Sequence, residues 1–200
     1  MDWSQVTSLT IPEGNVKQVS ANGVVLWKKG LLPSGYTQLE YIESAGTQYI
    51  IIPSKKYVVN EELEIDFAYT SFAGQYPTVY GSYHSEIYTN INGEVLPFGS
   101  ISISEPQKFI LNQKQTIKAK FIDTITFPQG LFAYAQGVNT FTYMSQGKLY
   151  KFIDRLNGVE IFNMIPARRN SDNTLGMYDT VTKQFFTNAG TGEFIAGGTV

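Results

Sequence analysis

The segment 62–69, ELEIDFAY, constrains the fold more than any other stretch, because apolar and acidic residues alternate along it. A period of two places every second side chain on the same face of a β-strand, so the pattern predicts a strand with one buried and one solvated face. The segment 116–121, TIKAKF, repeats the alternation with lysines on the solvated side. We therefore predict that the two segments are neighbouring strands with cross-strand charge pairs.

Hairpin signals recur along the rest of the chain. Asn92-Gly93 and Asn157-Gly158 stand between apolar runs, where such dipeptides favour tight antiparallel hairpins. The segment 99–104, GSISIS, is expected to form a short alternating strand. No stretch has a helical period long enough to predict a helix. The sequence therefore predicts an all-β protein, a β-sandwich or a jelly roll.

The two ends of the main body are expected to meet. Near the C-terminus, the apolar runs 175–178 and 184–187 flank a polar turn and predict a closing β-meander that ends at 193–195. Its expected partner is the stretch 32–50, LPSGYTQLEYIESAGTQYI. Pairing of these distant segments would make residues 31–200 one β-sandwich closed by its own termini.

Residues 1–30 are expected to form a small N-terminal β-hairpin appendage. The stretch 16–29, VKQVSANGVVLWKK, predicts a strand, a type I′ turn at Asn22-Gly23 and a second strand. A lone hairpin is marginal in water, so this unit must add residues 8–11 as a third strand, pack on the main body or bind another chain. The candidate assembly contacts are Val24, Leu26 and Trp27.

The composition argues against several classes of protein. The 13 Phe, 13 Tyr and 18 Gly favour β-structure with many turns. A net charge of −2 gives no basic surface for a nucleic-acid partner. With no cysteine, the chain has no disulfide, thiol catalyst or cysteine-based zinc site. The sequence shows neither a signal peptide nor an apolar run that could span a bilayer, so membrane insertion is not expected.

Catalytic patterns are weak. His84 is the only histidine, and nothing in the sequence announces a positioned partner for it, so an exposed loop histidine is the preferred interpretation. Glu64 and Asp66 resemble the start of the Glu-x-Asp-x-x-Glu signature of laminarinase-like retaining glycosidases, but Tyr69 occupies the position of the second glutamate. Because retaining hydrolysis needs two carboxyl groups about 5 Å apart, an enzyme is disfavoured.

Metal and anion sites are not expected either. Asp123, Asp172 and Asp179 are scattered along the sequence and fit turns better than a calcium site, so no metal or other cofactor is predicted. Arg168 and Arg169 lie in a polar turn and are expected to form surface ion pairs.

Aromatic residues in loop-like segments are the remaining functional signal. An aromatic plane with nearby amides suits a sugar ring, although the same residues could fill the core or a subunit interface. One segment, 76–88, contains four tyrosines and His84, and another, 134–143, contains two tyrosines, Phe141 and Asn139. The candidate glycan contacts are Tyr76, Tyr80, Tyr83, His84, Tyr134, Asn139 and Tyr143.

The stretch 32–50, quoted above, resembles the opening of the laminin-G/concanavalin-like jelly-roll modules found in tail, baseplate and fibre proteins of phages and prophages. The stretch 147–198, GKLYKFIDRLNGVEIFNMIPARRNSDNTLGMYDTVTKQFFTNAGTGEFIAGG, resembles their closing half, and the hairpin at 16–29 is similar to a strand pair that often precedes them. Ile51-Ile52-Pro53 replaces the usual Asp-Thr-Gly turn, and the middle, 69–104, matches poorly.

The resemblance implies a jelly-roll module of a phage virion, exposed on the particle and contributing to attachment to a host-surface glycan. It further implies homo-oligomerisation, contacts with other virion proteins, synthesis in the host cytoplasm and release by lysis. A purely structural role as a decoration or cement protein is the alternative, and a glycan hydrolase is a further one.

Overall fold

The structure is a computed structural model that describes residues 18–21, 24–28, 32–105, 107–137 and 139–200, with the backbone alone for 18–28. The described residues form nineteen β-strands and no helix. Apart from one N-terminal pair, the strands belong to two large sheets, which confirms the predicted all-β class.

The strands are numbered in chain order. The N-terminal pair consists of β1 (Gln18–Ala21) and β2 (Val24–Lys28). The ten-stranded sheet contains β3 (Tyr36–Gln38), β4 (Ile42–Ala45), β6 (Glu62–Ser71), β10 (Ile101–Ile103), β11 (Gln115–Phe121), β15 (Gln146–Leu156), β16 (Val159–Arg169), β17 (Leu175–Asp179), β18 (Phe185–Thr187) and β19 (Ile195–Ala196). The seven-stranded sheet contains β5 (Ile50–Tyr57), β7 (Thr78–Ser82), β8 (Ser85–Thr89), β9 (Val95–Gly99), β12 (Ile125–Leu131), β13 (Tyr134–Ala135) and β14 (Phe141–Thr142).

The predicted pairing of the two alternating segments is confirmed. Strand β6 runs antiparallel to β11, with Lys118 opposite Glu64 and Lys120 opposite Glu62. The ion pairs of Glu64, however, reach across to β15 on the other side of β6, where Lys151 and Arg155 lie 2.9 and 3.0 Å from its carboxylate oxygens. The alternation thus predicts the neighbour correctly, while the charge partners depend on a third strand.

The two sheets face each other across one aromatic core. Tyr57 of β5 stacks on Phe121 of β11, with ring centroids 4.7 Å apart. Tyr80 of β7 stacks in the same way on Phe152 of β15, at 5.7 Å. Because each pair joins a strand of one sheet to a strand of the other, the molecule has the layered architecture of a β-sandwich.

The ends of the main body meet, as predicted. Strand β19 pairs with β4, β3 pairs with β16, and an isolated bridge joins Leu39 to Thr199. The closing meander differs in its last step, because β19 crosses to β4 instead of pairing with β18. The cause is the loop after β18, where the Asn188 carboxamide oxygen accepts hydrogen bonds from the backbone N–H groups of Tyr49 and Gly190 and so holds the loop against the N-terminal stretch.

The predicted turns have different outcomes. Asn157 and Gly158, at φ 52° and 78°, form the two-residue turn between β15 and β16, which confirms the tight hairpin. Asn92-Gly93 lies in a hairpin whose loop is longer, residues 90–94, because the Asn90 side chain accepts hydrogen bonds from two backbone N–H groups within it. The short strand predicted at 99–104 is confirmed for residues 101–103, which form β10, whereas Gly99 ends β9 in the other sheet.

The N-terminal hairpin is confirmed as far as its strands, since β1 and β2 are antiparallel with Val19 opposite Trp27. The turn at Asn22-Gly23 and the proposed third strand at 8–11 lie outside the described residues. The side chains of Val24, Leu26 and Trp27 also lie outside the described part, so their assembly role stays a prediction.

A buried charged cluster also joins the sheets. Lys55 of β5 forms ion pairs with Glu61, in the turn before β6, and with Asp154 of β15, whose Oδ2 lies 2.8 Å from the lysine Nζ. Both carboxyl groups are buried, and the lysine is largely so. Burial, together with the neighbouring Glu61, raises the pKa of Asp154 to about 7 against the opposing effect of Lys55.

Truncation of Phe194 tests the closure by the chain ends. Phe194 is 4 % exposed and packs on Phe132 with ring centroids 5.5 Å apart, whereas the next residue, Ile195, is 53 % exposed. Phe194→Ala should lower the free energy of unfolding by about 3–5 kcal/mol, and Ile195→Ala by less than about 1 kcal/mol. Urea denaturation measures both, and equal effects would contradict closure by Phe194.

Asp154 should make stability depend on pH. Because its folded pKa of about 7 exceeds the ordinary value of 3.8, the folded state binds the proton more tightly. The resulting stabilisation is complete below pH 3.8 and is lost as the pH rises through 7, by at most about 1.4 kcal/mol per pH unit. Asp154→Asn should flatten this slope in urea denaturation series, while Asp123→Asn, an exposed turn residue, should retain it. An unchanged slope in Asp154→Asn would refute the assignment.

Candidate functional site: a tyrosine platform

Two segments that are distant in sequence bring four tyrosines together on the seven-stranded sheet. Tyr76 precedes β7 and Tyr88 lies in β8. Tyr134 lies in β13 and Tyr143 follows β14, and this region is held beside β7 by parallel pairing of Tyr134 with Gly81. The ring centroid of Tyr76 lies 5.2 Å from that of Tyr88 and 5.6 Å from that of Tyr143. The ring centroid of Tyr143 lies 5.6 Å from that of Tyr134. We call this group the tyrosine platform.

The platform lies on the face of the sheet that is directed away from the core. On β8, Glu86 and Tyr88 alternate with the core residue Ile87, so both point to the opposite face. Tyr76 is 46 % exposed and Tyr143 is 38 % exposed. Ring surface is therefore available to a ligand.

Backbone conformation fixes the two most exposed tyrosines of the platform. Tyr76 and Tyr143 have φ angles of 57° and 51°, in a region that bulky side chains rarely adopt. Both lie against Thr78, whose N–H donates to the Tyr143 carbonyl oxygen at 2.9 Å. The Thr78 hydroxyl oxygen lies 2.9 Å from the Tyr76 carbonyl oxygen, and its single proton can be donated either there or to Glu86. Such strained residues persist where their surroundings hold them, and they cluster at functional sites.

A buried carboxyl group lies beneath the platform. Glu86 is 6 % exposed, lies opposite Gly81 and accepts a hydrogen bond from the Thr78 hydroxyl. A Cβ atom on Gly81 would lie 3.0 Å from the Glu86 Cγ, so glycine makes room for this side chain. Burial raises the pKa of Glu86, and the Thr78 hydrogen bond opposes the shift.

The charge of Glu86 reaches both sides of the platform. Burial raises the pKa of the Tyr88 and Tyr134 hydroxyl groups, and the next largest contribution in each case is repulsion from Glu86. The platform therefore combines aromatic surface, phenol hydroxyl groups and one carboxyl group. This arrangement can stack on a sugar ring and hydrogen-bond its hydroxyl groups.

The other predicted glycan contacts lie partly on the surface and partly in the core. Tyr83 and His84 are exposed in the turn between β7 and β8, where their rings contact each other at 5.1 Å. Asn139 is exposed in the loop between β13 and β14. Tyr80 must be corrected, because it is 0 % exposed and belongs to the core, so it is not a surface contact.

The sequence reasoning missed Glu86 and Phe98. Phe98 of β9 lies opposite Glu86 in the sheet and is 55 % exposed, so it extends the apolar surface beside the carboxyl group. The alternation of Glu86, Ile87 and Tyr88 could have placed Glu86 on the outer face with Tyr88. Phe98 had no such signal, because its position depends on the pairing of β8 with β9.

The hydrolase-like carboxylates are engaged in surface contacts. Glu64 is ion-paired as described above, and Asp66 lies 2.9 Å from Lys114. Tyr69 is buried and donates a hydrogen bond to the Pro77 carbonyl oxygen. The other close carboxyl pair, Glu61 with Asp154, is enclosed in the core, where a substrate has no access.

The three scattered aspartates each serve a turn. Asp123 accepts from the Thr124 N–H, Asp172 pairs with Arg169, and Asp179 accepts from three backbone N–H groups. No cluster of metal-binding side chains occurs in the part of the chain that the structure describes. The predicted surface ion pair is thus found for Arg169.

A polar groove of about 640 Å³ lies between the turn 170–174 and the loop 188–196, with Arg168, Glu193 and Asn188 among its lining residues. The Asn188 side chain is already committed to the loop, where its amide also donates to the Gly192 carbonyl oxygen. Asp172 is likewise held by Arg169. We therefore regard the tyrosine platform as the stronger candidate site.

Comparisons with protein-family models, with curated proteins and with solved structures return no match for this chain. Among the described residues, no helix has the length and apolar character needed to cross a membrane.

Replacement of Glu86 tests the electrostatics of the platform. Glu86→Gln should lower the pKa values of the Tyr88 and Tyr134 hydroxyl groups, because it removes the repulsion that disfavours the phenolates. Titration of ring-carbon signals by NMR measures both pKa values, with circular dichroism as the check that the fold persists. The control is Glu94→Gln, whose carboxyl group binds Asn90 in the neighbouring hairpin loop. Unchanged tyrosine titrations in Glu86→Gln would contradict the assigned geometry.

Proposed function

We propose that this chain is a laminin-G/concanavalin-like jelly-roll module of a phage virion protein, of the tail, baseplate or a fibre, and that it contacts host-surface glycans. The observation that carries the glycan contact is the convergence of segments 76–88 and 134–143 on one exposed platform. Two sets of tyrosines that were separate candidates in the sequence act as a single surface.

The location of the family-like stretches supports the module assignment. The resemblance rests on residues 32–50 and 147–198, and these stretches supply the strands that pair to close the sandwich, β3 and β4 with β16 and β19. The platform is built outside them, from segments that include the poorly matching middle of the chain. An attachment module is expected to keep the strands that close the sandwich and to vary the surface that binds a ligand.

Attachment would rely on many copies. A single open platform encloses little of a sugar, so its affinity should be low, and repeated copies on a particle would raise the effective affinity through avidity. In this proposal, residues 1–30 attach residues 31–200 to other virion proteins or to a sister subunit. The protein is made in the host cytoplasm, assembles as a homo-oligomer and is released by lysis.

A purely structural role is the second candidate function. Tyrosine is enriched in the centres of protein interfaces as well as at sugar sites. The same platform could therefore pack against another virion protein, as in a decoration or cement protein. A glycan hydrolase is less well supported, because the Glu64 carboxylate is held by Lys151 and Arg155.

Polysaccharide binding by full-length protein tests the proposal. On an array of bacterial envelope polysaccharides, Tyr76→Ala and Tyr143→Ala should each weaken binding roughly tenfold, about 1.4 kcal/mol, because each removes a ring that a sugar would stack on. Tyr150→Ala is the matched control, since Tyr150 is a half-buried tyrosine on the ten-stranded sheet. Binding that no platform variant weakens would refute the site.

Two further outcomes separate the alternatives. Absence of binding to every envelope polysaccharide, with particles that disassemble without the protein, would leave the structural role. Release of reducing ends from a β-glucan, abolished by Glu64→Gln, would establish the hydrolase.

A further inference from the structure

We infer that the tyrosine platform selects uncharged glycans and excludes polyanionic ones, such as phosphate- or uronate-bearing polymers, with Glu86 as the residue that excludes them. This inference rests on the proposed glycan contact and adds the chemical class of the ligand. It is carried by the distribution of charge around the platform and by the burial of Glu86.

The segments that build the platform contain one carboxyl side chain and neither lysine nor arginine. Residues 76–88, 95–99 and 134–143 include no lysine and no arginine, and Glu86 is their only acidic residue. An anionic polymer that stacks on the tyrosines would therefore meet a carboxylate and no lysine or arginine from these segments, whose one histidine, His84, lies in the turn between β7 and β8. Unpaired like charge is an effective way for a site to reject a competing ligand.

Burial has two effects on the exclusion: it raises the pKa of Glu86, so the exclusion requires a pH above that pKa, and it reduces the screening of the carboxylate once it is ionised. Solvent and salt screen an exposed carboxylate, whereas one beneath a protein surface acts through a medium of lower dielectric constant. After burial, repulsion from Glu86 is the next contribution to the raised pKa of both the Tyr88 and the Tyr134 hydroxyl groups, so its charge acts on rings from both segments of the platform. A phosphate placed on these rings would also be repelled by the Glu86 carboxylate.

Uncharged sugars meet no such penalty. The apolar face of a pyranose can lie on the rings of Tyr76 and Tyr143, and its hydroxyl groups can hydrogen-bond to the phenol hydroxyl groups. Phe98, opposite Glu86 on the next strand, adds apolar surface without adding charge. A neutral sugar carries no charge for Glu86 to repel.

Basic residues are concentrated on the other sheet. Strands β11 and β15 of the ten-stranded sheet carry Lys118, Lys120, Lys148, Lys151 and Arg155. The last three pair with glutamates, whereas Lys118 and Lys120 are exposed on β11. A polyanion attracted to the protein should bind there, weaken with added salt and ignore changes in the platform. Sensitivity to Tyr143→Ala therefore distinguishes ligands of the platform from those of the basic surface.

The test compares two sets of immobilised polymers with the full chain, at low and high salt. Dextran, mannan and galactan are the uncharged probes, and poly(glycerol phosphate) lipoteichoic acid and polygalacturonate are the polyanions. At least one uncharged polymer should bind in a manner that salt leaves unchanged and that Tyr143→Ala weakens roughly tenfold. Binding of polyanions that depends on Tyr143 should be at least about tenfold weaker than binding of that uncharged polymer. Glu86→Gln should reduce this difference in affinity by about tenfold, while Glu94→Gln should preserve it.

The failures are distinguishable. If a polyanion binds through Tyr143 more tightly than any uncharged polymer, or if Glu86→Gln leaves the preference unchanged, the inference is wrong and the glycan contact stands. If no polymer of either class binds in a manner that depends on Tyr143, both the inference and the proposed glycan contact are wrong.

Discussion

The rest of the structure depends on the antiparallel pairing between the two ends of the main body. Strands β3 and β4 gain their partners from β16, β19 and β15, all more than 100 residues later in the chain. Close approach of backbones at this seam requires residues without side chains, since a Cβ atom on Gly190 would lie 2.1 Å from the Thr47 carbonyl oxygen. Because such non-local pairing becomes favourable only after a large loop is closed, the frame should form cooperatively as one unit.

The β-sandwich was largely predictable from sequence, because the sequence patterns that indicate its strands and turns are local. The alternation in 62–69 reports on which side chains are buried, and Asn157-Gly158 suits the positive φ angles of a two-residue turn. In the segment 99–104 the alternation located β10 but not its first residue, since a period of two does not show that Gly99 ends a strand of the other sheet. The partners of Glu64 were equally out of reach, because they come from a strand about 90 residues away.

The candidate site was predictable in kind but not in detail. The sequence marked Tyr76 and Tyr80 as equivalent loop tyrosines, although one forms the platform and the other lies in the core. A register shift between Thr78 and Tyr80 in the pairing of β7 with β8 separates them, and residue spacing does not reveal such a bulge. Glu86 was overlooked because its role depends on the glycine opposite it and on tyrosines from another segment.

Buried acids at two places in the molecule have different partners. Asp154 and Glu61 share Lys55, which offsets part of their negative charge and joins the two sheets. Glu86 accepts a hydrogen bond from the neutral hydroxyl of Thr78, which leaves its charge to act on the tyrosines above it. Burial of a carboxyl group with such a partner is costly, and the strained backbone at Tyr76 and Tyr143 adds to the cost. Both costs fall at one exposed surface, which is the arrangement expected if this surface binds a ligand, as we propose.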